Sequence, residues 1–169
     1  MLIFIGNISS KYGLNPAASE DLINSLSSRY EIIYASEKKN IFLRLLDMVL
    51  TVFVNRKKCQ ILIIDIFGTN AFIFAFLIIL IAKFYNIPYI PILRGGYVGE
   101  RYKQHPFIFN ILFSAAYRVI SPSYFLKQYF DSTKFPIDII PNYINLSEYT
   151  FKKRDSIKPR LLWVRSIHS

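Results

Sequence analysis

Glycines and cations occur together in the segment Pro91–Pro106, PILRGGYVGERYKQHP. Arg94 offers a forked hydrogen-bond donor that suits a phosphate, and Gly95 and Gly96 allow a tight turn and a close approach of the backbone to a ligand. The segment also carries Tyr97, Arg101, Lys103 and His105. We predict a flexible, cationic loop that holds an anion. The alternative is a solvent-exposed loop whose charges only keep it hydrated.

A second glycine-containing loop, Gly6–Pro16 (GNISSKYGLNP), leads into a predicted helix. The free N–H groups at a helix start attract anions, and glycine lets the backbone come close to them. The spacing of Gly6 and Gly13 fits neither the dinucleotide fingerprint GxGxxG nor the Walker pattern GxxxxGK[ST]. The loop is therefore either an anion site of another kind or a plain connection.

Polar residues near other predicted strand ends have structural explanations as well as chemical ones. Asp65, the acid embedded in the apolar stretch ILIIDIFG, is either a general base or a structural carboxylate. Ser121 before Pro122 is typical of a helix cap, and Asn142 is typical of a turn.

Several kinds of site have no support in the sequence. His105 and His168 are far apart and the acidic residues do not cluster at ligand spacing, so we expect no metal and no cofactor. The nucleophile motif GxSxG is missing from the sequence. The single cysteine, Cys59, excludes an internal disulfide and a CxxC site.

The composition indicates a buried core and an anionic partner. Hydrophobic residues make up 53% of the 169 residues and charged residues 19%, which excludes disorder. The formal net charge is +10, with 12 basic and 5 acidic residues in the range 85–169. Small-molecule phosphates, lipid headgroups and nucleic acid all fit this charge, but no RNP, helix-turn-helix or zinc signature occurs, so we expect no nucleic acid.

Short apolar stretches alternate with helix-like segments along the chain. Near-continuous apolarity is typical of strands covered on both faces of a parallel sheet. The predicted strands are Leu2–Ile5, Glu31–Ala35, Ile61–Ile66, Pro88–Leu93, Tyr117–Ile120 and Ile137–Ile140. The predicted helices are 16–28, 41–55, 70–85 and 107–115, and one that begins at Ser121-Pro122. This order predicts an α/β fold: a doubly wound, mostly parallel sheet with helices on both faces and functional loops at the carboxyl ends of the strands.

The sequence also predicts where some of the helices begin and end and which of their faces are apolar. Asn15-Pro16 predicts the start of the first helix, and Asn86, in a left-handed conformation before Pro88, predicts the end of the third. The predicted apolar stripe of the second helix is Ile41, Leu45, Val49, Val52 and Phe53. The apolar run 71–82 in the third helix is shorter than the roughly 18–20 residues needed to cross a bilayer, so it predicts a buried helix, with an in-plane membrane contact as the alternative.

The composition changes after residue 149. Residues 150–160 are polar and charged, and 161–165 (LLWVR) are typical of a new strand. We therefore expect one domain over 1–149, an interdomain linker over 150–160, and the first strand of a second, truncated domain over 161–169.

Four stretches together are similar to a known family: YGLNPAA, IPYIPILRGG, YRVISPSYFLKQYF and IDIIPNYINLSEYTF. Their order and intervals resemble the N-terminal, Rossmann-like domain of GT-B retaining glycosyltransferases of family 4, which includes enzymes of capsule and lipopolysaccharide synthesis. The chain has Arg94-Gly95 where many members have His-Gly, and Asn142-Tyr143 where many have Asn-Gly.

The resemblance implies a function and a set of sites. The enzyme would transfer a hexosyl group from a nucleotide-sugar donor to a glycan or lipid-linked acceptor, in the cleft between this domain and a donor-binding C-terminal domain. It implies that residues 13–15 (Gly13, Leu14 and Asn15) lie near the donor phosphates. The acceptor side would include Gly95, Gly96, Tyr97, Arg101 and Lys103, while Ser123 and Asn142 would lie at the cleft or hinge. We expect Arg94 to stabilise negative charge on the leaving diphosphate.

Two classes of function therefore stay open. The first is a cytoplasmic sugar transferase, inactive as this fragment alone. The second is a non-catalytic module that binds an anionic or lipid-linked glycan, or the inner surface of the cytoplasmic membrane.

Overall fold

Six short apolar strands form a single parallel sheet. The structure is a computed structural model that describes residues 1–6, 8, 10, 17–35, 38, 40–143, 150, 153 and 156. The strands are β1 (Leu2–Ile5), β2 (Ile32–Ala35), β3 (Ile61–Phe67), β4 (Tyr89–Arg94), β5 (Val119–Ser121) and β6 (Ile137–Ile139). Their order in the sheet is β2-β1-β3-β4-β5-β6, and every neighbouring pair is parallel. The predicted α/β fold with a parallel sheet and Rossmann-like winding is confirmed.

Because all strands run in the same direction, their carboxyl ends lie at one edge of the sheet. Leu2 is in register with both Ile32 and Ile61, and Phe67 at the end of β3 is in register with Arg94 at the end of β4. From β1 the chain first moves to β2 on one side and then returns to β3 on the other side, so the order of the strands reverses between β1 and β3. In folds of this kind, ligands bind at that point.

Among the described residues, six helices connect the strands. They are α1 (Ala18–Ser27), α2 (Ile41–Asn55), α3 (Phe72–Phe84), α4 (Tyr97–Gln104), α5 (Pro106–Phe113) and α6 (Tyr124–Gln128). The Asn40 side chain caps α2 by accepting hydrogen bonds from the backbone N–H groups of Phe42 and Leu43, at 2.9 and 3.2 Å. Asn86 has φ 54°, so the predicted left-handed residue after the third helix is confirmed.

The two faces of the sheet are covered very differently. One face packs against α2, α3 and α5 in a large core that includes Val52, Ile78 and Phe109. On the other face, α1 packs Ile23 against Phe4 of β1, in a much smaller core. Right-handed crossovers explain this division, because α1 is the connection that leads toward the β2 edge, while the later ones lead away from it.

Four local predictions need correction. The segment predicted as a flexible loop after β4 turns at Gly95 and then forms α4, because Val98 and Tyr102 pack into the core at helical spacing. The first described helix begins at Ala18, two residues later than predicted, and Ala17 before it is extended. The cap of α6 is Ser123, whose hydroxyl accepts from the N–H of Leu126, and not Ser121.

The fourth correction concerns the apolar stripe of α2. Of the predicted stripe residues, Val52 is buried, whereas Ile41 and Phe53 are exposed. The helix buries Met48 and Val52 against the sheet.

Some predictions fall on residues that the structure does not describe. These are the predicted residues Gly13, Leu14 and Asn15 and the predicted strand 161–165.

No helix in the described part of the chain combines the length and the apolarity that crossing a bilayer requires.

Candidate functional site

Arg94 is the last residue of β4, and its side chain is almost completely buried at the carboxyl edge of the sheet. Its Nε–H donates to Asp65 Oδ1 at 2.9 Å, and its Nη1 donates to Asn142 Oδ1. Residues two apart on a strand share a face, and Asp65 is in register with Ile92, so both charged side chains lie on the α1 side of the sheet. The ends of β3, β4 and β6 therefore meet at one guanidinium.

Asp65 is held from three directions. Besides Arg94, the Ser19 hydroxyl of α1 donates to Asp65 Oδ2. The α-carbon of Gly6, directly after β1, lies so close that an added Cβ would come within 2.6 Å of Asp65 Oδ2. Burial raises the pKa of Asp65, and the charge of Arg94 and the hydrogen bonds from Ser19 and Arg94 oppose that increase.

The position of Ser19 depends on a second carboxylate in the first turn of α1. Glu20 Oε1 accepts the N–H of Ala17 at 2.9 Å and the N–H of Ser10 at 3.1 Å, while the Ser10 hydroxyl donates to Oε2. These contacts fasten the start of α1 to the loop after β1 and so fix Ser19 beside Asp65.

An open groove adjoins the polar network that Arg94, Asp65, Ser19 and Asn142 form. It has a volume of about 330 Å³ and runs along the α1 face of β4 and β5. Its walls are mostly aliphatic and include Ala18, Leu22, Leu26, Ile63, Ile90, Ile92, Ile120, Ile140, Pro141 and Tyr143. Arg94 and Asn142 supply its polar end. Such a mixture of apolar walls and a few directed donors is typical of sites for small amphiphilic ligands.

A smaller cavity, of about 140 Å³, lies where the strand order reverses between β1 and β3. Gly6 and Asp65 line its strand side, and Arg44 and Met48 of α2 line its other side. Asp65 lines this cavity and its partner Arg94 lines the groove, so the ion pair lies between the two.

The network can donate hydrogen bonds but carries little net charge. A guanidinium has five N–H groups, and the contacts with Asp65 and Asn142 use two of them. Within the described residues the guanidinium makes no other side-chain hydrogen bond, and Arg94 lines the groove. The adjacent carboxylate of Asp65 neutralises the guanidinium. The site would therefore recognise a ligand through the direction of its hydrogen bonds more than through its charge.

The other predicted cations make separate contacts. Arg101 donates from Nε to the carbonyl of Gly68 at 2.6 Å and lies over the Phe72 ring at 5.1 Å. Lys103 is exposed, with Nζ 3.1 Å from Glu100 and 4.9 Å from the ring centre of Tyr129. Both belong to α4, and neither contacts Arg94 or Asn142 in the described structure.

The remaining predicted residues lie around the same edge. Gly95 has φ +73°, which explains a glycine at the turn after Arg94, and Gly96 is the N-cap residue of α4. Tyr97 is exposed at the first turn of α4. Ser123 caps α6, and in the described structure no side-chain hydrogen bond joins it to Arg94, Asp65 or Asn142.

Sequence reasoning missed Ser19, because nothing in a helical pattern indicates that one of its serines forms a hydrogen bond with a distant residue such as Asp65. It left Asp65 open between a base and a structural carboxylate, and the two contacts with Arg94 and Ser19 support the structural role. No group of side chains suited to hold a metal occurs in the part of the chain that the structure describes.

Comparisons with known proteins add no relative. No family model, no curated protein and no solved structure matches this chain. The functional interpretation therefore rests on the sequence and on the geometry of the site.

Proposed function

We propose that this chain is the acceptor-side domain of a GT-B retaining glycosyltransferase that acts in surface polysaccharide synthesis. The observation that carries the proposal is the groove at the carboxyl edge of the sheet, with apolar walls and the donors of Arg94 and Asn142 at one end. A lipid-linked acceptor has the matching chemistry, since it joins an apolar chain to a phosphate. The quoted similarity to family 4 supports the same assignment.

In this proposal the buried pair is a positioning device. Asp65 fixes the plane of the Arg94 guanidinium, whose remaining N–H groups donate to phosphate or sugar oxygens. Gly95, Gly96 and Tyr97 border the acceptor, and Gly13 with its neighbours borders the donor phosphates. A C-terminal domain supplies the nucleotide-sugar site, and the enzyme works in the cytoplasm at the inner face of the cytoplasmic membrane.

Calorimetric titration of the chain with a short-chain prenyl monophosphate tests the acceptor site. Arg94→Lys keeps the positive charge beside Asp65 but loses the fork, so we expect at least about tenfold weaker binding. Arg118→Lys is the matched control, because Arg118 is exposed and lies 3.9 Å from the exposed Asp138.

The proposal is wrong if the wild-type chain does not bind the prenyl phosphate, or if Arg94→Lys binds as tightly as Arg118→Lys. Thermal unfolding of both variants, followed by circular dichroism, shows that any difference in affinity arises from the site and not from the fold.

A binding module without transfer activity is the second candidate. Exposed aromatic side chains in the basic C-terminal half, such as Tyr97, Phe107 and Tyr117, favour contact with a glycan or a membrane surface. Sugar transfer by the chain joined to a donor-binding domain supports the first candidate, and binding without transfer supports the second.

A further inference from the structure

Helix α2 turns apolar side chains toward solvent. Phe42, Leu46, Leu50 and Val54 recur every four residues and form one exposed ridge, with Phe42 81% and Val54 70% exposed. The polar residues of the same helix, Arg44, Asp47, Thr51 and Asn55, are only partly exposed. A helix that faces water has the opposite arrangement, with its polar residues outermost.

The neighbouring helix α3 extends this apolar area. Phe84 is 78% exposed, and Ile73 and Leu80 are exposed as well. A groove of about 400 Å³ between the two helices is lined entirely by Leu45, Val49, Leu77, Leu80, Ile81, Phe84 and Tyr85. We call the exposed apolar residues of α2 and α3, together with this groove, the α2–α3 surface. An area of this kind on a protein marks a binding surface.

Cations lie at the margins of the α2–α3 surface. At the carboxyl end of α2, Arg56 lies over the rings of Phe53 and Tyr85, at 4.2 and 5.4 Å from their centres. Lys57 and Lys58 follow and are exposed, and the exposed Lys38 precedes the helix at its other end. Long basic side chains beside apolar and aromatic groups are typical of the interface between lipid headgroups and acyl chains.

We propose that the α2–α3 surface binds an anionic lipid bilayer, with α2 lying in the plane of the membrane. The ridge extends from the first turn of α2 to the last, so the whole helix contacts the bilayer and neither end points away from it. The apolar groups enter the boundary of the acyl chains, and Lys57 and Lys58 contact the anionic headgroups.

A second copy of the chain fits this surface less well than a bilayer. Segment 37–39 has one acidic and two basic residues, and segment 56–58 has three basic residues. Both ends of α2 are therefore positive. Parallel or antiparallel pairing of two such surfaces would bring like charges together, which costs binding energy.

This inference deepens the second candidate function by naming its surface, and it does not require sugar transfer. It assigns membrane contact to α2 and α3 rather than to the basic C-terminal half. Arg94 lies on the opposite face of the sheet, so prenyl phosphate titration and vesicle binding can fail independently.

Sedimentation with vesicles of phosphatidylcholine alone, or with about one third phosphatidylglycerol, tests the proposal. We expect binding to the anionic vesicles that weakens as salt increases. The double variant Phe42→Ser/Val54→Ser loses two exposed apolar groups, so its partition coefficient should fall at least about thirtyfold. Phe125→Ser is the matched control, because Phe125 is an exposed aromatic residue of α6 at the other end of the sheet.

Two further double variants test how much the lysines contribute to vesicle binding. Lys57→Gln/Lys58→Gln should lower partitioning into anionic vesicles about tenfold or more, since it removes two cations that contact the anionic headgroups. Lys127→Gln/Lys134→Gln removes the same charge near α6 and should change partitioning less than about twofold, because these lysines lie away from the surface.

Three results would overturn the proposal. The first is equal vesicle binding by wild type and Phe42→Ser/Val54→Ser, with both folded by circular dichroism. The second is a loss of binding in Phe125→Ser alone. The third is a wild-type dimer in light scattering that Phe42→Ser/Val54→Ser converts to a monomer while vesicle binding persists, because the surface would then be a contact between copies.

Discussion

The two faces of the sheet differ in what their side chains do. On the face covered by α2, α3 and α5, the buried Phe109 ring lies 5.2 to 5.7 Å from four other aromatic rings, those of Phe72, Tyr102, Phe113 and Phe130. On the face covered by α1, a small aliphatic core gives way to the Asp65–Arg94 pair and to the 330 Å³ groove.

The difference follows from the number of helices on each face. Several helices can fill one face with interlocking rings, whereas in the described part of the chain α1 alone covers part of the other. The first face supplies the packing that holds the sheet together. The second can therefore keep an open groove, which leaves room for a ligand, and a buried ion pair. The net contribution of such a pair to stability is small compared with an apolar pair, although removal of one partner is costly.

The largest expected effect is on the aromatic face. Phe109→Ala should lower the free energy of unfolding by about 4 kcal/mol, because it leaves a cavity among rings that cannot collapse. Ile120→Ala, a half-buried position in the groove, should cost about 1 kcal/mol, because the neighbouring space is already open. Urea unfolding measures both, and equal losses would contradict the contrast between the faces.

The ion pair gives the next effect. Arg94→Ala leaves a buried carboxylate without its main partner and should lower the free energy of unfolding by about 3 kcal/mol at neutral pH. The exposed Arg118, 3.9 Å from Asp138, provides the control, and Arg118→Ala should cost less than about 0.5 kcal/mol.

The same variant has a characteristic pH dependence. Since the pKa of Asp65 is raised in the folded chain, its stabilising contribution is complete below the unfolded-state pKa and is lost as pH rises through the folded-state pKa. Removal of Arg94 raises the folded-state pKa further. The stability difference between wild type and Arg94→Ala should therefore shrink as the pH falls toward the unfolded-state pKa of about 4, and a constant difference would show that Asp65 is not its cause.

Gly6 tests how tightly the β1 end packs against the network. An added Cβ would lie 2.6 Å from Asp65 Oδ2 and 2.5 Å from a ring carbon of Phe4, so Gly6→Ala should cost about 2 kcal/mol in thermal or urea unfolding. A neutral result would mean that the carboxylate moves freely, and would weaken the assignment of Asp65 as a fixed support for Arg94.

Gly96, after β4, should behave in the opposite way. Its backbone is already helical, with φ −65° and ψ −30°, and an added Cβ meets nothing within 4 Å. Gly96→Ala should therefore raise the free energy of unfolding by about 0.5 kcal/mol, because the unfolded chain loses conformational freedom. Destabilisation by this change would indicate close packing at the start of α4.

Strands and helices with a strong local sequence signal could be predicted. Features that depend on which distant residues a segment packs against could not. The strands and most helices follow from apolar runs and from end signals such as Asn86. Helix α4 was missed because the three glycines and four charged residues of the segment 91–106 hid the core contacts of Val98 and Tyr102. The stripe of α2 was misread because apolar residues occur on almost every side of it, so periodicity could not indicate which side faces the sheet.

The candidate site shows the same limit. Arg94 and Asp65 stand out as charged residues in apolar strands, but their pairing depends on the register of β3 with β4, and Ser19 and Asn142 join them only through the fold.

The sequence by itself determined the class of fold, because alternating apolar strands and helices can be buried only as a layered α/β sheet. It also determined that charge and glycine follow the strands at one edge. Only the tertiary structure decided that Arg94 is neutralised by Asp65, and that α2 points its apolar ridge outward. Both depend on which surfaces meet across long separations in the chain, and a local pattern of residues does not encode that.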